Sequence, residues 1–242
     1  MIDRVRAWVG SAKLIAVFSG AGMSAESGVP TFRDAQTGLW ATFRPEDLAT
    51  EEAFRADPQR VWDWYAMRRD ALATVQPNAG HRAIAGFQRR HPGRLEVLTQ
   101  NVDGLHQRAG SPGVQALHGS ILQDKWLDPP RECCLSQVPT SARPPRCPSC
   151  GNLVRPAVVW FGEMLPAGVL LRSEKIAQAC DLMLVVGTSG VVYPAAGLAR
   201  TARAAGAQVV VVNPVATALD DTAHVVLHGT AAALLPQLLE DA

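Results

Sequence analysis

The chain has 242 residues, of which 48% are hydrophobic, and a formal net charge of +1. That length supplies one or two domains with an ample core, and the near-neutral balance argues against a nucleic-acid groove or a membrane surface as the main partner. No apolar run approaches the roughly 20 residues that span a bilayer, and the run at 14–18 is too short for the apolar region of a signal peptide, so a cytoplasmic protein is expected.

Residues 2–12 read as an amphipathic helix with Ile2, Val5, Trp8 and Val9 on one face. The run at 14–18 is a buried strand that breaks into Gly20 and Gly22, and residues 20–25 satisfy the G-x-G-x-x-G/A pattern. Such a strand, glycine turn and helix start can cradle a phosphate; it is also a tight turn open to any α/β protein. The continuation Gly28-Val29-Pro30-Thr31-Phe32-Arg33 adds a ring and a guanidinium. An acidic ribose-binding residue is due about 20 residues further on in an ordinary dinucleotide unit. Aromatic, charged, helix-like sequence stands there instead (Trp40, Phe43, Phe54). This points to chemistry on the cofactor itself rather than to hydride exchange.

Residues 45–75 are helical in pattern. Asp57-Pro58 forms a start signal of cap followed by proline, and Val61, Trp62, Tyr65 and Leu72 recur at helical spacing. Tyr65 and Arg68 share a face. They are either a core ring beside a solvated cation or a phenol and a cationic fork suited to a carboxylate. Asn78 caps the next helix, which His91-Pro92-Gly93 ends. A strand at 95–99 follows, with Gln100, Asn101 and Asp103 beyond its carboxyl end, where ligands of parallel sheets bind; Asn101 or Asp103 is equally an Asx-type cap. A short strand at 114–117 ends in His118-Gly119, read as an exposed imidazole able to accept a proton near neutral pH. His81 and His106 read as helix-surface or helix-packing residues.

Residues 120–156 are rich in proline and hold Cys133, Cys134, Cys147 and Cys150. Cys147-Pro148-Ser149-Cys150 is a good zinc-knuckle half, whereas Cys133 and Cys134 are adjacent. Structural zinc and a module held by packing alone both stand. A strand is expected at 158–163 running into a glycine turn, then a helix to about 180. The strand at 182–186 ends in Gly187-Thr188-Ser189-Gly190, a second turn facing phosphate or ribose. A helix at 194–205, a strand at 208–212 ending in Asn213, a strand at 225–227 and a helix at 231–239 close the chain. This order gives an α/β fold, a Rossmann-like doubly wound parallel sheet. The expected domains are 1–35, 79–119 and 157–242 for the sheet, and 36–78 with 120–156 for a smaller inserted lobe, a helical segment plus a zinc-ribbon-like module.

GAGMSAESGVPTFR (20–33), TQNVDGLHQRAG (99–110), LHG (117–119), CPSCG (147–151), VVWFGE (158–163), GTSGVVYP (187–194) and VN (212–213) together resemble the ordered motif set of the sirtuins, NAD-dependent protein lysine deacylases. With the Tyr65-x-x-Arg68 pair, the FGE and GTS stretches are similar to the bacterial class III, desuccinylase and demalonylase, branch. The resemblance implies NAD as co-substrate, acyl-lysine peptides of proteins as partners, and free lysine, nicotinamide and O-acyl-ADP-ribose as products. It implies phosphates on Gly20, Ala21, Gly22 and Ser24, and adenosine near Gly187, Thr188, Ser189 and Asn213, with Ala231 also on the cofactor. Phe32 would be a lid and Arg33 a phosphate or ribose contact. Gln100 and Asn101 would hold ribose hydroxyls and a water, and Asp103 the nicotinamide carboxamide. His118 would be the general base, with Asn101 beside it in the catalytic set. Tyr65 and Arg68 would take the acyl carboxylate, and Val159, Phe161, Gly162 and Val191 the peptide, paired as an added strand. The four cysteines would hold a structural zinc. Two departures are visible: Trp126 stands where some bacterial relatives have a cysteine, and Pro214-Val215 follows Asn213 where an acidic residue is common. The competing readings are a plain deacetylase, a mono-ADP-ribosyl transferase and a non-catalytic NAD-binding module.

Overall fold

The structure, a computed structural model, describes residues 1–30 and 47–240. Its strands are β1 (Ile15–Ser19), β2 (Leu95–Thr99), β3 (Gln115–Ala116), β4 (Gly119–Trp126), β5 (Val154–Val158), β6 (Leu182–Val186), β7 (Gln208–Val212) and β8 (Val225–Leu227). Its helices are α1 (Ile2–Ser11), α2 (Glu51–Ala56), α3 (Pro58–Thr74), α4 (Ala79–Arg90), α5 (Leu105–Arg108), α6 (Glu132–Ser136), α7 (Ala167–Ala179), α8 (Gly197–Ala204) and α9 (Ala231–Leu239).

Among the described residues, six strands form one parallel sheet in the order β3-β2-β1-β6-β7-β8. The apolar runs of β1, β6 and β7 have no polar face, so both faces of the sheet must be covered. The period-2 alternation divides the work. Ile15, Val17, Leu182, Leu184, Val210 and Val212 pack against α1, α4 and α9 through residues such as Val9, Phe87 and Leu235. Ala16, Phe18, Met183, Val185, Val209 and Val211 pack against α7 and α8 through Ile176, Leu198 and Ala202. The strand order reverses at β1, which leaves a crevice beyond the carboxyl ends of β1, β2 and β6. A third cluster joins Phe54, Val61, Tyr65 and Leu72 of α2 and α3 to Ile121, Val158 and Trp160. Asp57 caps α3 through the Arg60 amide at 3.1 Å, with Pro58 at the first position.

Four local expectations are corrected. Two 3-10 turns, Ala21–Met23 and Ala25–Ser27, replace the short helix after the glycine turn. The strand expected at 158–163 lies earlier, as β5: residues 159–160 are irregular and a turn follows at 161–162, where Gly162 has φ +85°. Its antiparallel partner β4 was not expected at all: most of its side chains are exposed or half-buried, so it carries no apolar periodicity. The helix after Pro194 begins three residues later, at Gly197. Among the described residues no helix is long and apolar enough to cross a membrane.

Candidate active site

The two glycine turns meet at the point where the strand order reverses. Gly20 N–H donates to the Val186 carbonyl at 2.9 Å, and Gly22 N–H to the Gly187 carbonyl at 2.8 Å. A Cβ on Gly20 would lie 2.7 Å from Thr188 Cβ, and one on Gly22 2.8 Å from Gly187 Cα. Gly187 has φ +59°, and a Cβ there would overlap the Met23 backbone nitrogen. These glycines therefore let two backbone turns touch. Gly187→Ala is expected to cost about 2 kcal/mol or more through overlap and left-handed strain, measured by denaturant unfolding; an unchanged midpoint would contradict the contact.

Ser24 is the hub of the next layer. Its hydroxyl donates to Asp103 Oδ2 at 2.7 Å and accepts from Asn101 Nδ2 at 3.2 Å. His81 Nδ1 accepts the Asn78 N–H at 3.4 Å, so its other nitrogen bears the hydrogen and donates to Ser24 Oγ at 3.5 Å. Asp103 Oδ1 accepts the Leu105 N–H at 2.9 Å, the Asx-type arrangement expected at this position. Burial pushes the Asp103 carboxyl up, while the Leu105 amide, the Ser24 hydroxyl and the Arg68 charge pull it back. Below this lies a second relay. Ser19 Oγ donates to Thr99 Oγ1 at 2.9 Å and accepts from His106 Nε2 at 2.9 Å, while Thr99 Oγ1 also accepts the Asn101 N–H at 3.0 Å. Gln100 Nε2 bridges to Thr188 Oγ1 at 3.0 Å, tying the end of β2 to the turn after β6.

His81 and His106 are thus fully buried, the helix-packing alternative of the two expected, and lie beneath the Ser24 and Ser19 hydroxyls they bond. Burial lowers their pKa values to about 4 and about 3, so both rings are neutral at physiological pH. The available sequence signal was the Asn78-x-x-His81 capping box; His106 carried none.

His118 is half-buried, not the exposed imidazole expected, and the chain just after β5 reaches it through the Val159 N–H, which donates to its carbonyl. Gly119, at φ +76°, makes that possible: a Cβ there would overlap the Ala157 carbonyl. His118 Nδ1 lies 3.0 Å from the Gln100 carbonyl. A carbonyl only accepts, so Nδ1 carries the hydrogen and Nε2 of the neutral ring offers a lone pair. Burial lowers the His118 pKa more than the Gln100 carbonyl raises it. A lowered value means the neutral base persists to lower pH. In the ligand-free protein the ring is expected to titrate below pH 6.5 by proton NMR; a midpoint above 6.5 would contradict this assignment.

On α3, Tyr65 is only 3% exposed, and its oxygen accepts the Trp160 Nε1–H at 2.9 Å. The Arg68 guanidinium lies 4.8 Å from the Trp64 ring centroid and 5.7 Å from that of Tyr65. Burial lowers its pKa, while Tyr65 and Asp103 favour its charge. It is a half-buried cation coupled to the Asp103 site and not a solvated one. Trp160 is held from below by Arg155, whose guanidinium carbon stacks 3.2 Å from the indole centroid and which pairs with Glu163. Glu163 Oε2 also accepts the Trp160 N–H at 2.9 Å.

Of the expected peptide residues, Val159 donates its N–H to the His118 carbonyl at 2.9 Å, and the Phe161 N–H is taken by Ala49 at 2.9 Å. The Phe161 and Val191 side chains are 46% and 65% exposed. Asn213 is buried, its amide donating to the Val215 carbonyl at 2.6 Å. Ala231 starts α9 and packs in the core, its carbonyl against Gly80, while Glu26 accepts the neighbouring Ala232 N–H at 2.9 Å. Ala21 and Ser189 line the two touching turns, half-buried. Phe32 and Arg33 lie outside the described residues.

The cysteines converge. The Sγ atoms of Cys133, Cys134, Cys147 and Cys150 all lie within 4.8 Å of one another, with Cys134 and Cys150 at 3.4 Å. Four thiolates about 2.3 Å from a tetrahedral zinc stand about 3.8 Å apart, so this donor set fits a structural zinc. The adjacent pair, which looked poor as a ligand half, works because α6 presents both sulfurs to the knuckle turned by Gly151 at φ +74°. Nothing is required of position 126. Elemental analysis is expected to find about one zinc per chain, and Cys134→Ser to lose it with a lower melting temperature; unchanged melting without metal would contradict a structural role.

The Sir2 family model matches residues 20–194. The chain is similar to the NAD-dependent protein deacylase of Ralstonia nicotianae, 55% identical over 236 residues that cover 98% of this chain and 95% of that one. It is also similar to the NAD-dependent protein deacylase of Mycolicibacterium paratuberculosis, 48% identical over 231 residues, 93% and 96% of the two chains. Among solved structures, a Sir2 homologue in complex with NAD matches with a TM-score of 0.89 at 40% identity, over 99% of this chain and 93% of that one. A complex of Sir2 with a p53 peptide and NAD+ matches with a TM-score of 0.84 at 28% identity, over 100% and 98%.

Proposed function

The chain belongs to the Sir2 family, and from that premise we propose that it is an NAD-dependent protein lysine deacylase that removes succinyl and malonyl groups, and acetyl groups more weakly. The donor set in the crevice fits NAD: small-residue turns for the phosphates, hydroxyl and amide side chains for riboses, and a buried carboxylate with an amide for a carboxamide. Bound there, NAD would supply a ribose carbon to which the acyl oxygen of the modified lysine bonds as the bond to nicotinamide breaks and nicotinamide leaves.

The chain's own residues do the rest. Ser24 holds the Asp103 carboxylate toward the nicotinamide carboxamide, and the donors Asn101 and neutral His81 on the Ser24 oxygen keep its hydrogen directed at Asp103. Gln100, fixed on Thr188, orients the ribose between the two turns. His118 Nε2 takes a proton from a ribose hydroxyl, its ring oriented by the Gln100 carbonyl. Fixing the reactants in line is worth roughly 7–11 kcal/mol of barrier at best. Residues 1–35, 79–119 and 157–242 are the NAD-binding domain in this reading and 36–78 with 120–156 the smaller lobe, the acyl-lysine entering between them.

The observation that carries the acyl preference is Arg68, a half-buried guanidinium beside Tyr65 whose charge Asp103 favours. A desolvated cation next to a phenol suits a carboxylate at the end of an acyl chain. Incubation with NAD and a succinyl-lysine peptide, followed by mass spectrometry, tests the reaction. Nicotinamide and O-succinyl-ADP-ribose are expected in equal amounts. ADP-ribose left on protein would favour ADP-ribosyl transfer, and no consumption of NAD would favour a binding module.

A further inference from the structure

The use of Tyr65 depends on where its single hydrogen points. A phenol donates one hydrogen and accepts through its oxygen, whereas an indole N–H only donates. The 2.9 Å bond between Trp160 Nε1 and Tyr65 Oη therefore runs in one direction, from the indole to the phenol. The Tyr65 hydrogen must point elsewhere, and no residue of the described chain accepts it. At 3% exposure, Tyr65 has little access to bulk water.

Trp160 is built to hold this position. It is 2% exposed, stacked on Arg155, tilted against Phe54 at 5.3 Å, and bonded through its backbone to Glu163. The indole thus has one fixed orientation, and its N–H has one acceptor.

We infer that Trp160 is a specificity-determining positioning residue: by occupying the Tyr65 oxygen with a one-way donor, it turns the phenolic hydrogen to the distal carboxylate of the acyl group. This rests on the reading of Tyr65 and Arg68 as the acyl pocket. An acetyl group has no acceptor at that place and gains nothing from the arrangement. The effect of Trp160 is therefore selective for acidic acyl chains.

The cleanest test replaces Trp160 by 3-benzothienylalanine, which exchanges the N–H for sulfur and keeps the ring that stacks on Arg155. Trp160→Phe is the encoded counterpart if incorporation yields too little folded protein. The KM for a succinyl-lysine peptide is expected to rise about tenfold with kcat nearly unchanged. The ratio of succinyl to acetyl kcat/KM falls by the same factor. In a Tyr65→Phe background the exchange should add nothing, since the acceptor is gone. An equal rise for both acyl groups, or full additivity with Tyr65→Phe, would overturn the inference. If Tyr65→Phe raises the succinyl KM and the Trp160 exchange does not, this inference fails and the acyl-pocket reading survives. If Tyr65→Phe itself leaves the succinyl KM unchanged, the pocket reading fails and takes this inference with it.

Discussion

Arg68→Met is expected to lower kcat/KM for a succinyl-lysine peptide by at least about a hundredfold and to leave the acetyl-lysine value within a few fold. The guanidinium is half-buried against Trp64 and Tyr65, so its charge acts through little water. Each hydrogen bond to a charged group contributes about 1.5–3 kcal/mol, and a bidentate pair then accounts for about a hundredfold or more. Methionine keeps an unbranched apolar side chain on α3 and removes the guanidinium that lies over the two rings. A small loss on acetyl-lysine is expected as well. Arg68 helps keep Asp103 ionised, and without it burial pushes that carboxyl further up. Steady-state kinetics on matched peptides read both effects. Equal loss on the two substrates by a folded variant would remove Arg68 from carboxylate recognition.

His118→Asn is expected to lower turnover by about a thousandfold, and by the same factor for succinyl and acetyl substrates. Asparagine can still donate to the Gln100 carbonyl and so preserves the bond that fills this corner, but it has no lone pair of imidazole basicity. NAD binding by calorimetry should survive, since His118 positions no phosphate. Turnover near the parent rate would remove His118 as the base. A loss confined to one acyl group would make it a specificity residue.

Much of the sheet was legible because its strands are near-pure apolar runs. β2, β6, β7 and β8 fall where the pattern put them, and α9 as well. Burial on both faces leaves little for polar residues to disguise. β4 was illegible for the opposite reason: it is held by backbone pairing to β5 and by Ile121 alone in the core, so its other side chains follow no period. The crevice residues were legible as polar groups at strand ends. Their foundation was not. His81 and His106 reach serines 57 and 87 residues away in the chain, and spacing within a helix cannot report such partners. The same holds for Trp160 and Tyr65, 95 residues apart. The shared face of Tyr65 and Arg68 could be read from their spacing, but the burial of the ring and the half-burial of the cation could not. Adjacent cysteines looked wrong for zinc because the familiar two-residue gap is one way, and not the only way, to aim two sulfurs at a common point.

The most direct measurement is the ratio of kcat/KM for succinyl-lysine to that for acetyl-lysine on one peptide sequence, with NAD saturating. A desolvated Arg68 beside Tyr65 predicts a ratio well above ten. A ratio at or below one would contradict the acidic-acyl assignment, while leaving the fold and the His118 chemistry intact.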